Sequence, residues 1–155
     1  MEPRSLAKLL DALDVEPSED ALVVASNLGY ATAVLARIAG SVTAVEPDEA
    51  MAGESEMALA ANGVDAAVVC GPAAEGLAKA APFDVIFVDG AVETVPEPLL
   101  AQLREGGRIG AIFQTGALGE ARIGYRIEGR MAWRYAFNAA GPVLPGFERA
   151  RSFAL

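Results

Sequence analysis

"LVVASNLGYATAVLARIAGSVTAVEP", residues 22–47, decides the fold class of this protein. The continuous apolar run Ala21–Ala25 at its start is typical of a strand buried on both faces of a parallel sheet. Gly29–Ala39 predicts a helix that stops at Gly40, and Val42–Glu46 predicts a second strand. A strand, a loop of small residues, a helix and a strand that ends on an acid together predict a nucleotide-type binding unit.

The same alternation of strand and helix continues on both sides of this unit. Leucines at helical spacing predict an N-terminal helix, and the segments downstream alternate in the same way. The predicted elements are helices at Arg4–Asp14, Pro47–Asn62, Ala73–Ala80 and Pro96–Arg104, strands at Ala66–Cys70, Phe83–Gly90 and Arg108–Phe113, and a tight turn at Glu105–Gly107. Such alternation predicts an α/β fold, a parallel sheet with helices on both faces and right-handed crossovers.

After Gly116 the pattern changes to the alternation of half-buried strands. Two alternating runs, Arg122–Ile127 and Met131–Phe137, flank Glu128-Gly129 and predict an antiparallel hairpin. The segment from Gly141 onward predicts a proline-rich crossing and a last short strand. We interpret the hairpin aromatics as core rather than as a stacking platform: Tyr125, Trp133, Tyr135 and Phe137. With no linker and no internal repeat, residues 1–155 are expected to form one domain.

Composition excludes several classes of function. The net charge of −9 argues against nucleic-acid binding, which needs clustered Lys and Arg. No histidine is present, so a Ser-His-Asp triad is excluded and a metal site is not expected. The lone Cys70 fits a reducing compartment and is expected to be an inert thiol at a buried strand end. With no apolar run of ~20 residues and no signal peptide at Met1–Arg4, we predict a cytoplasmic protein that does not contact membranes.

The ends of the predicted strands form the candidate binding site. In an open parallel sheet, ligands bind beyond the carboxyl ends of the strands, where the winding reverses. Glu46 lies about 20 residues beyond Ala25, the offset at which an acid contacts a ribose hydroxyl. A structural alternative is that Gly29 only packs a helix and Glu46 is only a solvated strand end. Asp84 is interpreted as a turn residue, whereas Asp89 is expected to face the cleft.

Five stretches carry a resemblance to a known family over nearly the whole chain. They are "RSLAKLLDALDVEP", "LGYATAVLARIAGSVTAVE", "GPAAEG", "APFDVIFVDGAVETVPEPLLAQLREGGRI" and "ALGEARIGYRIEGRMAWRYAFNAAGPVLPGFE". The chain resembles the protein-L-isoaspartate O-methyltransferase family in its alphaproteobacterial form. The resemblance implies a Rossmann-like class I methyltransferase fold with antiparallel C-terminal strands, and S-adenosylmethionine as methyl donor. It also implies a protein or peptide substrate with isoaspartyl residues, as in protein repair, and it leaves a homo-oligomer open. The cofactor-binding residues it implies are Ala25, Asn27, Gly29, Tyr30, Glu46, Gly71 and Asp89.

The chain departs from the family's first motif, which runs like Asp/Glu-Val-Gly-x-Gly-x-Gly-Tyr. Val23, Ala25 and Asn27 stand at the acid and the first two glycines, while Gly29 and Tyr30 are retained. Val23 cannot accept the hydrogen bonds that the family's acid accepts around the methionine end of the cofactor. Because loss of one charged hydrogen bond costs about 1.5–3 kcal/mol, we expect the cofactor to bind weakly or not at all.

The chain also departs from the family ahead of its first helix. Family members carry an N-terminal segment with a substrate-side serine/threonine motif ahead of "PRSLAKLL", so no catalytic residue is assigned and a shortened homologue or a fragment is expected. One hypothesis is a protein carboxyl methyltransferase, and the other is a non-catalytic binding or assembly module on the same fold. An NAD(P) oxidoreductase fits poorly because the loop lacks Gly-x-Gly-x-x-Gly.

Overall fold

The computed structural model describes residues 1–150 as a seven-stranded sheet with helices on both faces. The order of strands across the sheet is β3-β2-β1-β4-β5-β6-β7. β1 to β5 are parallel to one another, and β6 and β7 continue the sheet antiparallel. The strands are β1 (Asp20–Val24), β2 (Ser41–Glu46), β3 (Ala67–Cys70), β4 (Phe83–Val92), β5 (Leu103–Thr115), β6 (Leu118–Ile127) and β7 (Arg130–Asn138). The helices are α1 (Pro3–Leu13), α2 (Tyr30–Leu35), α3 (Glu49–Ala61) and α4 (Glu97–Leu100). The predicted fold class is confirmed.

Two apolar layers bury the two faces of the sheet. Val23 and its neighbours on one face pack against α1 and α2. Leu22 and Val24 point to the other face, where α4 and Phe147 cover them. Because successive strand residues alternate between faces, a strand covered on both sides needs apolar residues at every position, which explains the run at the start of the quoted stretch. No helix among residues 1–150 is long and apolar enough to cross a membrane.

The helix predicted at Gly29–Ala39 is shorter in the structure. α2 ends at Leu35, and the chain continues to Ala39 in tight turns. The turns bring Gly40 against the backbone of the α1–β1 connection, where an added Cβ would lie 2.8 Å from the Pro17 carbonyl oxygen. Gly40 is therefore a close-packing residue, and the prediction that the helix stops at Gly40 is wrong because its C-cap is Ala36.

The helix predicted at Ala73–Ala80 is wrong. The segment forms two 3₁₀ turns, Ala73–Glu75 and Ala78–Ala80, separated by Gly76 at φ +60° and ψ −138°. The buried side chain of Gln102 fixes this break. Its Oε1 accepts from Leu77 N at 2.8 Å, and its Nε2 donates to the carbonyls of Glu75 at 2.7 Å and Pro98 at 3.0 Å.

We expect a Gln102→Leu substitution to lower the free energy of unfolding by about 2–3 kcal/mol, because it leaves a buried N–H and two carbonyls without partners. Urea unfolding of the variant measures this loss. Gln114→Leu is the comparison, since the Gln114 amide bonds the exposed Gly116 carbonyl at 2.8 Å and accepts a longer bond from Gly141 N at 3.3 Å. Equal losses in the two variants would contradict the role assigned to Gln102.

The helix predicted at Pro96–Arg104 is wrong at its C-terminal end. α4 stops at Leu100, and β5 already begins at Leu103. Glu105–Gly107, predicted as a tight turn, lies inside β5 at a shift of the register with β4. An added Cβ on Gly107 would meet three backbone carbonyl oxygens at 2.8–3.1 Å, so the second glycine lets the irregular strand pack against its neighbours.

The C-terminal hairpin is confirmed, but its aromatic residues do not form one stripe. β6 and β7 join at Glu128-Gly129, both at positive φ. A register shift beside Ala121 inserts one extra residue in β7, which puts Phe137 on the α1 side and leaves Tyr135 exposed. Such a bulge reverses the alternation of side chains. The prediction that all four aromatics are core is therefore wrong for Tyr135.

Two further predictions concern the ends of the sheet. Cys70 is exposed rather than buried, because β3 is an edge strand. Between 141 and 150 the predicted last strand is a single parallel bridge of Val143 with Ala91. The rest of that prediction falls on residues 151–155, outside the described residues.

A largely buried ion pair joins the α1–β1 connection to β5. Both Arg108 Nη atoms bond the Glu19 carboxylate, at 2.6 and 2.9 Å. This hydrogen bonding holds the pKa of the Glu19 carboxyl below its ordinary value near 4.5. A carboxyl with a depressed pKa in the folded state stabilises the fold above its unfolded pKa, and loses this contribution as the pH falls through the folded pKa.

We therefore expect the stability difference between the protein and its Glu19→Gln variant to shrink as the pH falls from about 7 to about 3. Urea unfolding across this range measures the difference. Glu16→Gln, at an exposed site in the same turn, should show no such trend. A Glu19→Gln difference that grows on acidification would contradict the assignment.

Candidate functional site

The candidate site lies at the carboxyl edge of the sheet, beside β1. β1 pairs with β2 on one side and with β4 on the other, so the chain winds outward in both directions from this strand. Because the carboxyl ends of parallel strands share one edge, the residues after β1, β2, β3 and β4 come together there. The loop that follows β1 stands at the centre of this edge.

The loop after β1 keeps a left-handed backbone at three alternate residues. The φ angles are +58° at Ala25, +51° at Asn27 and +88° at Gly29. Glycine adopts such angles freely, whereas other residues pay about 1–2 kcal/mol and asparagine pays less. Ala25 and Asn27 are the two positions where the sequence departs from glycine. The surrounding structure therefore holds the loop in a glycine-like path without the glycines.

Glu46, at the end of β2, is turned inward. Its side chain is only 3% exposed. Oε2 accepts from Asn27 N at 2.7 Å, and Oε1 accepts from Asp48 N at 3.1 Å. The alternative of a solvated strand end is thus wrong for this residue. The Glu46 carboxylate links the end of β2 to the loop after β1. The Gly71 N–H, directly after β3, donates to the Glu46 backbone carbonyl at 3.0 Å.

The side chain of Asn27 spans the space between β1 and β4. Its Nδ2 donates to the Ala25 carbonyl at 2.8 Å, and lies 3.5 Å from Asp89 Oδ2, at the long limit of a hydrogen bond. Asp89 is buried, and its carboxylate lies toward Asn27. Its Oδ1 lies 3.1 Å from the Met1 amino nitrogen, an ion pair that gives this buried oxygen a partner.

Gly29 and Tyr30 lie apart from this cluster. Gly29 packs on α3, where an added Cβ would lie 2.4 Å from Ser55 Oγ. Tyr30 is 66% exposed and lines an apolar groove of about 590 Å³ between α2 and α3. The structure therefore brings together Ala25, Asn27, Glu46 and Asp89, adds Gly71 through its backbone, and leaves Tyr30 on the outer surface.

Sequence reasoning missed the segment that covers the tip of β4. Leu144 lies over Gly90, where an added Cβ would lie 2.6 Å from the leucine side chain. Backbone bonds tie the segment down, from Ala91 N to the Pro142 carbonyl at 3.3 Å and from Leu144 N to the Ala91 carbonyl at 2.8 Å. The signal in the sequence is Gly90 at the end of the predicted strand, since a glycine within a strand permits close approach of another chain segment.

The resemblance implies that the cluster of Ala25, Asn27, Glu46 and Asp89 holds an S-adenosyl group. The backbone path and the inward carboxylate of Glu46 suit a ligand with hydroxyl donors. The Asn27 amide, however, lies between the ends of β1 and β4, and the apolar groove between α2 and α3 is not lined by Ala25, Asn27, Glu46 or Asp89. In this conformation the residues do not fit the cofactor, so no step of a reaction is derived through it.

The fold is shared with solved methyltransferase structures. A structure described as protein-L-isoaspartate O-methyltransferase superposes with a TM-score of 0.86 at 23% identity, covering 94% of this chain and 48% of that one. A Plasmodium falciparum protein of the same description, solved in complex with S-adenosyl-L-homocysteine, gives a TM-score of 0.73 at 19% identity, covering 90% and 71%. At these identities the likeness concerns the fold alone.

Sequence comparison identifies relatives at higher identity. The protein-L-isoaspartate O-methyltransferase of Methylorubrum extorquens strain PA1 is 35% identical over 142 residues, which are 92% of this chain and 61% of the relative. That of Roseiflexus castenholzii is 38% identical over 109 residues, 70% of this chain and 50% of the relative. The chain thus spans half to three-fifths of these two relatives. The family model described as Protein-L-isoaspartate(D-aspartate) O-methyltransferase (PCMT) matches residues 1–116. The chain therefore belongs to the protein-L-isoaspartate(D-aspartate) O-methyltransferase family.

Proposed function

We propose that the chain is an S-adenosylmethionine-dependent methyltransferase domain that transfers a methyl group to a protein carboxylate, with isoaspartyl residues as substrate. The observation that carries this proposal is the loop after β1, which keeps left-handed φ at Ala25, Asn27 and Gly29 and is tied to the buried carboxylate of Glu46. A loop without a ligand to accommodate would gain stability from residues that prefer ordinary φ angles. A cytoplasmic location belongs to the same proposal and is supported by the single cysteine.

The proposed methyl transfer does not require a titratable side chain of the protein to act as a general acid or base. When bound, S-adenosylmethionine would supply an activated methyl group, and a carboxylate acceptor would need no general base from the protein. Alignment and exclusion of water then supply most of the acceleration, so the absence of histidine is compatible with turnover. Within the cluster, we assign Glu46 to the ribose hydroxyls, because a carboxylate that accepts two backbone N–H bonds still has two lone-pair positions free.

The second candidate function is a non-catalytic binding module on the same scaffold. The Asn27 amide within the crevice favours it. The two functions differ in whether the crevice opens for an S-adenosyl ligand, and a binding measurement separates them.

The test is calorimetric titration with S-adenosyl-L-homocysteine, on the protein and on two glutamate variants. A methyltransferase predicts a Kd in the micromolar range, and loss of one charged hydrogen bond in Glu46→Gln should weaken it by about tenfold or more. Glu49→Gln, an exposed acid three residues on, is the matched control and should bind as the parent does. A labelled S-adenosylmethionine assay with an isoaspartyl peptide then measures transfer. If titration to about 1 mM ligand releases no heat, the binding free energy is weaker than about −4 kcal/mol. In that case only the non-catalytic binding module remains.

A further inference from the structure

The polar groups of the crevice are already bonded within the protein, by Asn27 and, at Asp89 Oδ1, by the Met1 amino group 3.1 Å away. Asn27 makes contacts through its backbone and its side chain. The backbone N–H bonds Glu46 Oε2 at 2.7 Å, and the side-chain Nδ2 bonds the Ala25 carbonyl at 2.8 Å and lies 3.5 Å from Asp89 Oδ2. Because both partners of the side-chain amide are acceptors, its NH₂ group must point toward them. One residue therefore reaches the ends of β1, β2 and β4 at once.

These partners are the groups that a ligand in the crevice would need. An S-adenosyl ligand presents an ammonium group and ribose hydroxyls, which are hydrogen-bond donors, and the crevice offers carbonyl and carboxylate acceptors. The Asn27 amide is a donor as well, and it already holds two of these acceptors. A ligand can bind there only after the amide leaves, so the free energy of the internal contacts is subtracted from the binding energy.

The backbone at Asn27 does not require the side chain. A φ of +51° is a conformation that glycine adopts without strain. Glycine at this position would keep the loop path and the N–H bond to Glu46, and would leave the space between β1 and β4 empty. The amide thus fills the crevice but does not determine the path of the loop.

We propose that Asn27 is an occluding side chain, an internal substitute for the S-adenosyl ligand, whose removal tightens binding of that ligand. This inference rests on the proposed function, because it concerns the same crevice. It goes beyond it by naming a residue that lowers the affinity and the direction of the change on its removal.

The experiment is titration of S-adenosyl-L-homocysteine into the protein and into three variants, with circular dichroism to verify folding. Asn27→Gly should lower the Kd by about tenfold or more, since it removes one full and one weak competing hydrogen bond and frees volume. Asn27→Ala, which retains a Cβ, should lower it by a smaller factor, and it carries the test if the glycine variant does not fold. Glu128→Gly is the matched control, because Glu128 has the same φ of +51° in the distant β6–β7 turn. It should change the Kd by less than about twofold.

A second readout follows the amide directly. The ¹⁵N side-chain resonance of Asn27 should shift when ligand is added to the parent protein, since the NH₂ group exchanges its partners. If the parent binds ligand and both Asn27 variants bind no tighter, the inference is overturned and the proposed function stands. If neither the parent nor either Asn27 variant binds at about 1 mM ligand, both are overturned.

Discussion

Replacing Arg108 with methionine lowers the free energy of unfolding by about 3 kcal/mol or more. The expectation follows from what the guanidinium holds: the Glu19 carboxylate through two bonds, the Asp14 carbonyl at 2.6 Å and the Leu13 carbonyl. The Arg108 side chain is only 12% exposed. Removal of one partner from a largely buried pair leaves the other charge uncompensated, which costs about 3–5 kcal/mol in buried pairs.

Arg104→Met provides the matched comparison for Arg108. Arg104 makes an ion pair of the same length, 2.6 Å to Asp84 Oδ1, but its side chain is 47% exposed. Exposed pairs contribute about 0–1 kcal/mol, so urea unfolding should show a much smaller loss for this variant. The dependence of stability on Glu19 protonation should also disappear when Arg108 is replaced. Equal losses in Arg104→Met and Arg108→Met would show that burial does not set the strength of this contact.

Gly29→Ala is expected to cost about 2–5 kcal/mol of folding free energy. Two effects add at this position. A φ of +88° is unfavourable for alanine by about 1–2 kcal/mol, and the new Cβ would lie 2.4 Å from Ser55 Oγ, an overlap in a packed contact that costs about 1–3 kcal/mol. Thermal or urea unfolding measures the sum.

A double-mutant cycle with Ser55 separates the two effects. Ser55 Oγ is buried without a hydrogen-bond partner among residues 1–150, so Ser55→Ala alone should be neutral or stabilising. In the double variant the overlap is relieved, and the remaining loss should be the conformational part, about 1–2 kcal/mol. Gly53→Ala is the control, because nothing lies within 4 Å of its added Cβ and alanine favours a helix interior by about 1 kcal/mol. Strict additivity of Gly29→Ala and Ser55→Ala would rule out the contact.

The loop after β1 keeps a glycine-like path with alanine and asparagine at two of its positions. Ala25 and Asn27 adopt left-handed angles that glycine favours because their neighbours hold the chain there. Glu46 fixes the loop from β2, and Ser26 N bonds the Val45 carbonyl at 3.2 Å. The backbone conformation is therefore imposed by tertiary contacts, while the side chains that replaced hydrogen atoms decide whether the crevice has room.

Local patterns in the sequence determined the element types and their order. Periodic burial fixed β1, β2, β4 and α1, because a strand covered on both faces and an amphipathic helix each impose their own spacing of apolar residues. The turn at Glu128-Gly129 was equally local, since its chemistry lies within the two residues. These features follow from neighbours in the chain, and sequence order suffices to find them.

Tertiary structure alone decided the rest. The break at Gly76 depends on Gln102, the flipped Phe137 depends on a bulge against β6, and the early start of β5 depends on pairing with β4. The contacts in the crevice also depend on the tertiary structure, because the contact of Asn27 with Asp89 joins the loop after β1 to β4, and these segments are distant in sequence. Hydrogen bonds between distant segments override local propensity, since a buried polar group must find its partner wherever the fold places one.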